Sequence, residues 1–459
     1  MAELARVHGP LMHLKMGFVH VVVVASASVA EQFLKVHDAN FSSRPPNSGA
    51  KYVAYNYQDL VFAPYGPRWR LLRKICAVHV FSAKALDDFV HVREEEVRIL
   101  TRALALSGET QTAAYLGQMV NVCATNAISR VMFGRRVVGH EQGGGDSKAE
   151  EFKGMVVELM VLAGVFNIGD FIPPLEALDL QGVARKMKRL HSRFDAFLSA
   201  IVQQNKIDGP RGKVDLLTTL MSVKDVDDSK GDALTETEIK ALLLNLFAAG
   251  TDTTSSTVEW AIAELLRHPT ILAQAQQELD SFVGTDRLVS ERDLPHLPFL
   301  QAIVKETLRL HPSTPLSLPR VAQESCEING YFIPKDSTLL VNVWAIGRDP
   351  DTWDSPLEFR PSRFLPGGER PNADVRGNDF ELIPFGAGRR ICAGMSLGIR
   401  MLQLLTATLI HAFDFHLLNG QLPQNLNMEE AYGLTLQRAE PLAVLPKPRL
   451  APHVYEAQV

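Results

Sequence analysis

The chain has 459 residues, 46% of them hydrophobic and 22% charged, with 31 Gly, 26 Pro and four Cys; these proportions exclude a collagen, a coiled coil, a disulfide scaffold and a disordered chain. A formal charge of −5 provides no global positive field, so no nucleic-acid partner is expected and any charged partner must use a local patch. At roughly 150 residues per domain the length suggests about three domains, although single large cores also occur.

Met1 to Pro10 carries charges and no apolar run, so neither a signal peptide nor a spanning segment is expected there. Strands are predicted over Leu11 to Met16 and, after a break at Gly17, over Phe18 to Ala25, a run far short of the roughly 20 residues that cross a bilayer. Ser26 is placed to cap a helix reaching about Asp38. Beyond the loop Arg44-Pro45-Pro46-Asn47-Ser48-Gly49 the pattern is mainly helical from Pro67 to about Leu310. Joints at Gly143 to Gly145, Asp208 to Lys213 and Asp225 to Asp232 read as helix connections rather than domain linkers. Short β-branched runs return from Val321 to Val343 around the hairpin signal Asn329-Gly330, and the tail Leu434 to Leu445 is again strand-like. No fixed-period repeat is present. The fold class expected is mainly α with small β-sheets contributed by both ends.

One helix stands apart. Thr235 and Glu238 form a capping box, and helix formers continue from Glu236 to Arg267, where His268-Pro269 stops them. Such a helix spans more than roughly 40 Å. Its centre, Ile239 to Gly250, is apolar almost all round, which predicts burial. Inside that stretch Ala249-Gly250-Thr251-Asp252-Thr253-Thr254 brings small residues, a carboxylate and hydroxyls that loosen a helix. Two readings stand: a polar segment reaching solvent, or a groove for a small polar ligand with a proton path.

The cysteines Cys76, Cys123, Cys326 and Cys392 are far apart and form no CxxC pair, which points to a reducing compartment. In Pro384 to Gly394 (PFGAGRRICAG), Cys392 follows a glycine-permitted turn, sits beside Arg389 and Arg390, and precedes an apolar helix from Met395 to Phe413. A helix N-terminus and neighbouring cations favour a thiolate, the form that ligates metals. Zinc requires further Cys or His at ligand spacing, and none is present. A haem iron needs one protein ligand, because the porphyrin supplies the rest. The alternative is that Cys392 is a small buried hydrophobe.

Phe385, Gly388, Arg390, Cys392 and Gly394 fill every fixed position of the FxxGxRxCxG signature, and on them the chain resembles the cytochrome P450 haem-thiolate monooxygenases. Ala249 to Thr254 resembles that family's oxygen-binding motif, Glu306-Thr307-Leu308-Arg309 its ExxR motif, and Trp69 to Arg73 its WxxxR motif. Phe359 to Phe364 resembles its PERF-like segment, with Ser362 where Glu is common. The likeness runs from Leu11 to Tyr455. It implies that residues 1–459 form a single catalytic domain, a large helical body enclosing haem with a smaller β-rich N-terminal region.

The resemblance further implies haem b on Cys392, with Trp69, Arg73, Arg320 and Arg390 towards its propionates and Ala249, Gly250, Phe385, Gly388 and Gly394 around it. Glu306, Arg309 and Arg363 become a structural triad holding the cysteine loop, while Cys76 and His79 are packing residues. Asp252 and Thr253 become the pair that delivers protons for cleavage of O2. No Rossmann or flavin motif follows a strand, so electrons are expected from NADPH through a partner, NADPH–cytochrome P450 reductase. Arg70, Arg73, Lys74, Arg389 and Arg400 are candidates for its docking patch.

Several segments resemble plant flavonoid B-ring hydroxylases: Phe166 to Pro173, Gly367 to Asn372, Val375 to Glu381, Ala431 to Arg438 and Leu450 to Tyr455. The likeness is nearer to those acting at the 3′ position than to those acting at 3′ and 5′. It implies small flavonoid substrates and an apolar pocket walled by Val165, Phe166, Ala248, Thr251, Thr314, Leu316 and Thr435. A haem-thiolate isomerase or haem sensor is the alternative, and the retained Asp252-Thr253 pair weighs against it. Related plant enzymes begin with a membrane anchor and a proline-rich hinge, and this chain opens inside the region that follows them. Residence on the endoplasmic-reticulum membrane is a family expectation, with the apolar Leu159 to Pro174 region as the segment to touch a membrane surface.

Overall fold

The computed structural model describes residues 1–138, 147–208, 215–224, 233–433 and 435–456. The joints expected at 143–145 and 225–232 lie outside them, and of the joint expected at 208–213 the first residue, Asp208, ends the helix Val183–Asp208 while the rest lies outside them.

Strands β1 (Leu11–Met16) and β2 (Val19–Val24) form a hairpin turned at Gly17, whose φ of 59° suits glycine. β2 lies between β1 and β7 (Thr338–Val341), to which it is parallel, with Val21 opposite Thr338 and Val24 opposite Val341. Val21 to Val24 are buried, the pattern of a strand covered on both faces. β4 (Arg320–Val321) completes this sheet on the far edge of β7, so the N-terminal hairpin shares a sheet with strands far along the chain. β5 (Cys326–Ile328) and β6 (Tyr331–Ile333) pair around Asn329 and Gly330, both at positive φ as a tight hairpin turn requires. β3 (Ala114–Tyr115), β11 (Ala443–Pro448) and β8 (Phe413–Leu417) make a second small sheet. β9 (Glu430–Tyr432) and β10 (Leu436–Arg438) form a separate hairpin.

The helical body is organised on the 32-residue helix Glu236–Arg267, hereafter the central helix. Its capping box forms: the Glu238 amide donates to Thr235 Oγ1 at 3.1 Å, and the Thr235 amide donates to Glu238 Oε2 at 2.8 Å. The hydroxyl segment does not interrupt it. Thr251, Thr253, Thr254 and Thr257 each donate to the carbonyl four residues earlier, at 2.6 to 3.0 Å, which satisfies the hydroxyls without leaving the α conformation. Helices Leu116–Phe133, Pro298–Leu310 and Met395–Ala412 pack around it. At Gly250 an added Cβ would stand 2.4 Å from Ile128 Cδ1 of the neighbouring helix.

Two local expectations change. Ser26 stands at its N-cap position, but its hydroxyl lies 3.4 Å from that of Ser28 and caps nothing; the helix Ala27–Glu31 runs on as a π-turn over Gln32–Val36. Met1 to Pro10, featureless by hydropathy, holds a short helix at Ala2–His8.

Candidate functional site

The cysteine loop is closed by its own backbone: the Cys392 amide donates to Phe385 O at 2.9 Å and the Ile391 amide to Gly388 O at 3.0 Å. Gly388 has φ 67°, and a Cβ there would meet Leu34 O at 2.3 Å and Asp38 Oδ1 at 2.4 Å. Glycine therefore lets the loop lie against the N-terminal helix. Asp38 fixes the next residue, accepting from the Arg389 amide at 3.1 Å and from its guanidinium at 2.8 Å. Cys392 itself is exposed, yet protein crowds it enough that burial pushes its thiol above the ordinary range, opposed by the Gly394 amide and Arg73. A side chain that is both open and desolvated faces an internal chamber.

The central helix shows the same signature. Ala249 is exposed while Phe247 and Thr251 on either side are buried. Ala393, beside the cysteine, and Ala248, beside Ala249, pack against one apolar cluster that includes Leu72, Ile75, Cys76 and Phe247, so loop and helix confront each other across it. Thr253 lies one turn beyond Ala249 on the same face and donates to Ala249 O at 2.6 Å. Asp252 turns towards the β9–β10 hairpin, where Thr435 Oγ1 donates to Oδ2 and Gln437 Nε2 lies 3.1 and 3.0 Å from Oδ1 and Oδ2.

Four arginines border the loop. Arg390 donates to the carbonyls of Ser42, Leu60, Val61 and Ala63 and stacks 4.5 Å from the Trp69 ring centroid. Trp69 Nε1 donates to Leu60 O at 3.0 Å. Arg320 holds Asp38 at 3.4 Å and Ala387 O at 2.6 Å. Arg73, half-buried, makes no hydrogen bond or ion pair among the described residues; burial lowers its pKa and the nearby Cys392 and Cys76 sulfurs raise it. The fourth, Arg44, escaped the sequence reading, where it stood only as the start of a proline loop. It donates to Val61 O, Leu318 O and Pro319 O, and burial with repulsion from Arg320 and Arg390 pulls it well below its usual pKa. Burial brings Arg320 and Arg390 down to about 10, still protonated at neutral pH.

Glu306, Arg309 and Arg363 meet in full burial. Arg309 Nε and Nη2 lie 2.7 and 2.8 Å from the Glu306 carboxylate, and Arg363 Nε lies 3.1 Å from it. Arg309 also donates to the carbonyls of Gly347, Pro356 and Glu358, and Arg363 pairs with Glu369.

The expected pocket residues separate. The Leu436 amide donates to Ser313 O at 2.9 Å, which brings the half-buried Thr314 and Leu316 segment to the hairpin carrying Thr435. Thr251 is corrected: it is 0% exposed with its hydroxyl on Phe247 O, because a residue two positions from Ala249 points to the other side of the helix. Thr435 is also reassigned, since its hydroxyl is engaged by Asp252. Val165 and Phe166 are exposed, Phe166 stacking on Phe171 at 4.6 Å beside the β1–β2 turn. Of the expected docking cations, Arg389 is held by Asp38 and Arg400 by Asp87, and Arg73 attends Cys392. Arg70 and Lys74 are exposed.

These residues fit an iron porphyrin. Among the described residues no group of three or more His, Cys, Asp or Glu is placed to hold a metal ion, so Cys392 suits a metal whose remaining ligands come with the cofactor. The unpartnered Arg73 and the arginine surplus behind it suit the carboxylates of such a group.

The family model described as cytochrome P450 matches residues 1–444. The chain is 71% identical to a flavonoid 3′-monooxygenase of Petunia hybrida and 65% identical to one of Arabidopsis thaliana, in each case across 99% of this chain and 88% of the relative. A flavonoid 3′,5′-hydroxylase of Eustoma exaltatum subsp. russellianum is 50% identical over the same shares. Among solved structures, a zebra fish cytochrome P450 determined with abiraterone superposes with a TM-score of 0.81 at 27% identity, covering 98% of both chains.

Proposed function

Since this chain belongs to the cytochrome P450 family, we infer that it is a flavonoid 3′-monooxygenase, an NADPH- and O2-dependent haem-thiolate enzyme that hydroxylates the flavonoid B-ring next to its 4′-hydroxyl. The observation that carries the reading is its likeness over nearly the whole chain: 71, 65, 63 and 57% identity to flavonoid 3′-monooxygenases against 57 and 50% to flavonoid 3′,5′-hydroxylases, the highest values falling to the 3′-monooxygenases.

When bound, the haem supplies the two-electron activation of O2, one oxygen atom entering the substrate and the other leaving as water. Cys392 is the residue to hold its iron; ligation displaces the thiol proton, and the Gly394 amide and Arg73 favour the charge left on sulfur. Arg73 is the group best placed for a propionate. Trp69, Arg320 and Arg390 shape the wall behind it, with their principal donors on protein acceptors. Gly250 allows the central helix to approach its neighbour closely, and Phe385, Gly388 and Gly394 set the loop. Thr253 commits its hydroxyl hydrogen to Ala249 O, so its oxygen presents lone pairs as an acceptor on the chamber side. Asp252 is the adjacent carboxylate through which protons arrive. The triad of Glu306, Arg309 and Arg363 ties the segment before the cysteine loop to the helix Pro298–Leu310.

Reducing equivalents come from a partner reductase. We place its docking on the cysteine side at Arg70 and Lys74, the exposed cations left after the pairing of Arg389 and Arg400. Attachment to the endoplasmic-reticulum membrane fits the apolar segment Gly154–Phe171, whose mean hydropathy is 1.6 with 28% of it buried, together with the exposed Phe18, Leu178 and Leu180.

The test combines purified protein, reductase and NADPH with naringenin. Eriodictyol as the main product is expected. A trihydroxylated B-ring as the main product, or no red-shifted Soret band in the reduced, CO-bound spectrum, would overturn the reading.

A further inference from the structure

We propose that Thr435 and Gln437 are positioning residues that hold the Asp252 carboxylate against the β9–β10 hairpin, and that this hold controls how protons reach Thr253. The proposal rests on the monooxygenase reading above.

The hairpin is registered on the central helix over consecutive turns. Thr435 and Gln437 lie on one face of the strand and both donate to Asp252. Leu436, between them, turns its carbonyl to the helix, accepting from Ser256 Oγ at 2.7 Å and from Trp260 Nε1 at 3.3 Å. Asp252, Ser256 and Trp260 follow at i, i+4 and i+8, one stripe of the helix. The far strand is anchored independently: Glu430 accepts from Trp344 Nε1 at 3.0 Å and from Arg348 at 3.3 Å, and lies 3.8 Å from His311. The hairpin is therefore a fixed arm, and the donors it offers to Asp252 are placed by backbone contacts rather than by chance rotamers.

The arm has two unlike ends. Thr435 is buried, whereas Gln437 is exposed, so the carboxylate is linked through Gln437 to solvent. Thr253 lies on the neighbouring face of the helix. A proton taken up at the Gln437 side reaches Thr253 only if the carboxylate turns, and it turns only if its bonds to the arm open. Thr435 thus acts through Asp252, a role distinct from forming a substrate wall.

The test uses full-length, haem-saturated protein with reductase, comparing Thr435→Val, Thr435→Ser and Gln437→Leu with wild type. Removing one donor to a carboxylate alters the occupancy of its held orientation by about tenfold. In Thr435→Val and Gln437→Leu the crystal structures should show Asp252 turned off the hairpin. Hydrogen peroxide per NADPH should rise severalfold and the solvent deuterium isotope effect on turnover should change, with substrate affinity from the spin-state spectrum unaltered. Thr435→Ser keeps the hydroxyl and should restore all three. Asp252 unmoved in Thr435→Val, or weakened substrate binding with wild-type peroxide yield that serine does not rescue, would overturn the proposal in favour of a wall residue. If the wild type fails to hydroxylate naringenin while Asp252 still swings in the variants, the substrate reading fails and the arm stands.

Discussion

Glu306→Gln tests what the buried network contributes. Glu306 accepts from Arg309 Nε and Nη2, from Arg363 Nε and from the Arg360 amide at 2.8 Å, and all three charged side chains are 0% exposed. Neutralising the carboxylate leaves two guanidiniums without their shared anion, a loss of about 3–5 kcal/mol for a buried pair broken on one side. Arg309→Met should cost more. It withdraws the donors of the Gly347, Pro356 and Glu358 carbonyls, each about 1–3 kcal/mol when buried and unsatisfied, and removes stacking on Trp353 at 5.2 Å. The isosteric exchange that rescues some buried ion pairs is therefore not available here. Urea unfolding followed by circular dichroism gives both values from midpoint and slope. A loss below about 1 kcal/mol for Glu306→Gln, or Glu306→Gln costing more than Arg309→Met, refutes the reasoning.

Gly250→Ala should lower stability by about 1–3 kcal/mol through overpacking on Ile128, and Ile128→Val should recover most of it, because the atom met is the free end of that side chain; thermal unfolding of the single and double variants decides. Cys392→Ser should abolish the red-shifted CO band, while Cys76→Ala keeps it, since burial pushes the Cys76 thiol up to about 12 and leaves it an inert packing group. Acid should destabilise the protein through Glu264: burial raises its pKa, but the His311 hydrogen bond and the charges of His311, His268 and Arg267 hold it below 4.5 when folded. The unfolded chain then binds the proton first as pH falls, so this stability is complete above about 4.5 and is lost on descent through the folded value, at up to roughly 1.4 kcal/mol per pH unit. Urea midpoints between about pH 6 and pH 3.5 should fall less steeply in Glu264→Gln, and equal slopes would contradict the assignment.

What could be read in the sequence was what is local. The capping box at Thr235, the left-handed glycines of the cysteine loop and the Glu306–Arg309 spacing are each decided within a few residues, and the fold uses them as spelled. Contacts between distant segments were not legible. The segment Asp252-Thr253 announces an acid beside an alcohol, but its partners Thr435 and Gln437 lie in a hairpin whose approach depends on Ser256 and Trp260 gripping one carbonyl. Thr251 went astray for a geometric reason: on a helix buried nearly all round, hydropathy does not say which face meets the chamber, and only the exposure of Ala249 does. Val165 and Phe166 were drawn into the pocket by segment likeness, whereas both are exposed and Phe166 stacks on Phe171 beside the β1–β2 turn.

Arg44, Arg73, Arg320 and Arg390 interact with one another, and among the described residues the carboxylates that oppose them are Asp38 and Asp59. Burial raises the Asp59 pKa, partly offset by bonds from Asn245 and from Phe62. Three of the arginines answer the deficit by donating to carbonyls, which satisfies hydrogen bonds without cancelling charge. Keeping that surplus desolvated costs stability in the protein alone, and an anion arriving at Arg73 offsets the cost. Arg73 also opposes the effect of burial on Cys392, whose thiol nonetheless stays above the ordinary range. Arg73 would thus serve the carboxylates of the proposed cofactor and the Cys392 sulfur together, so the arginine without a partner among the described residues and the thiol that resists ionisation are two halves of one unmet electrostatic demand.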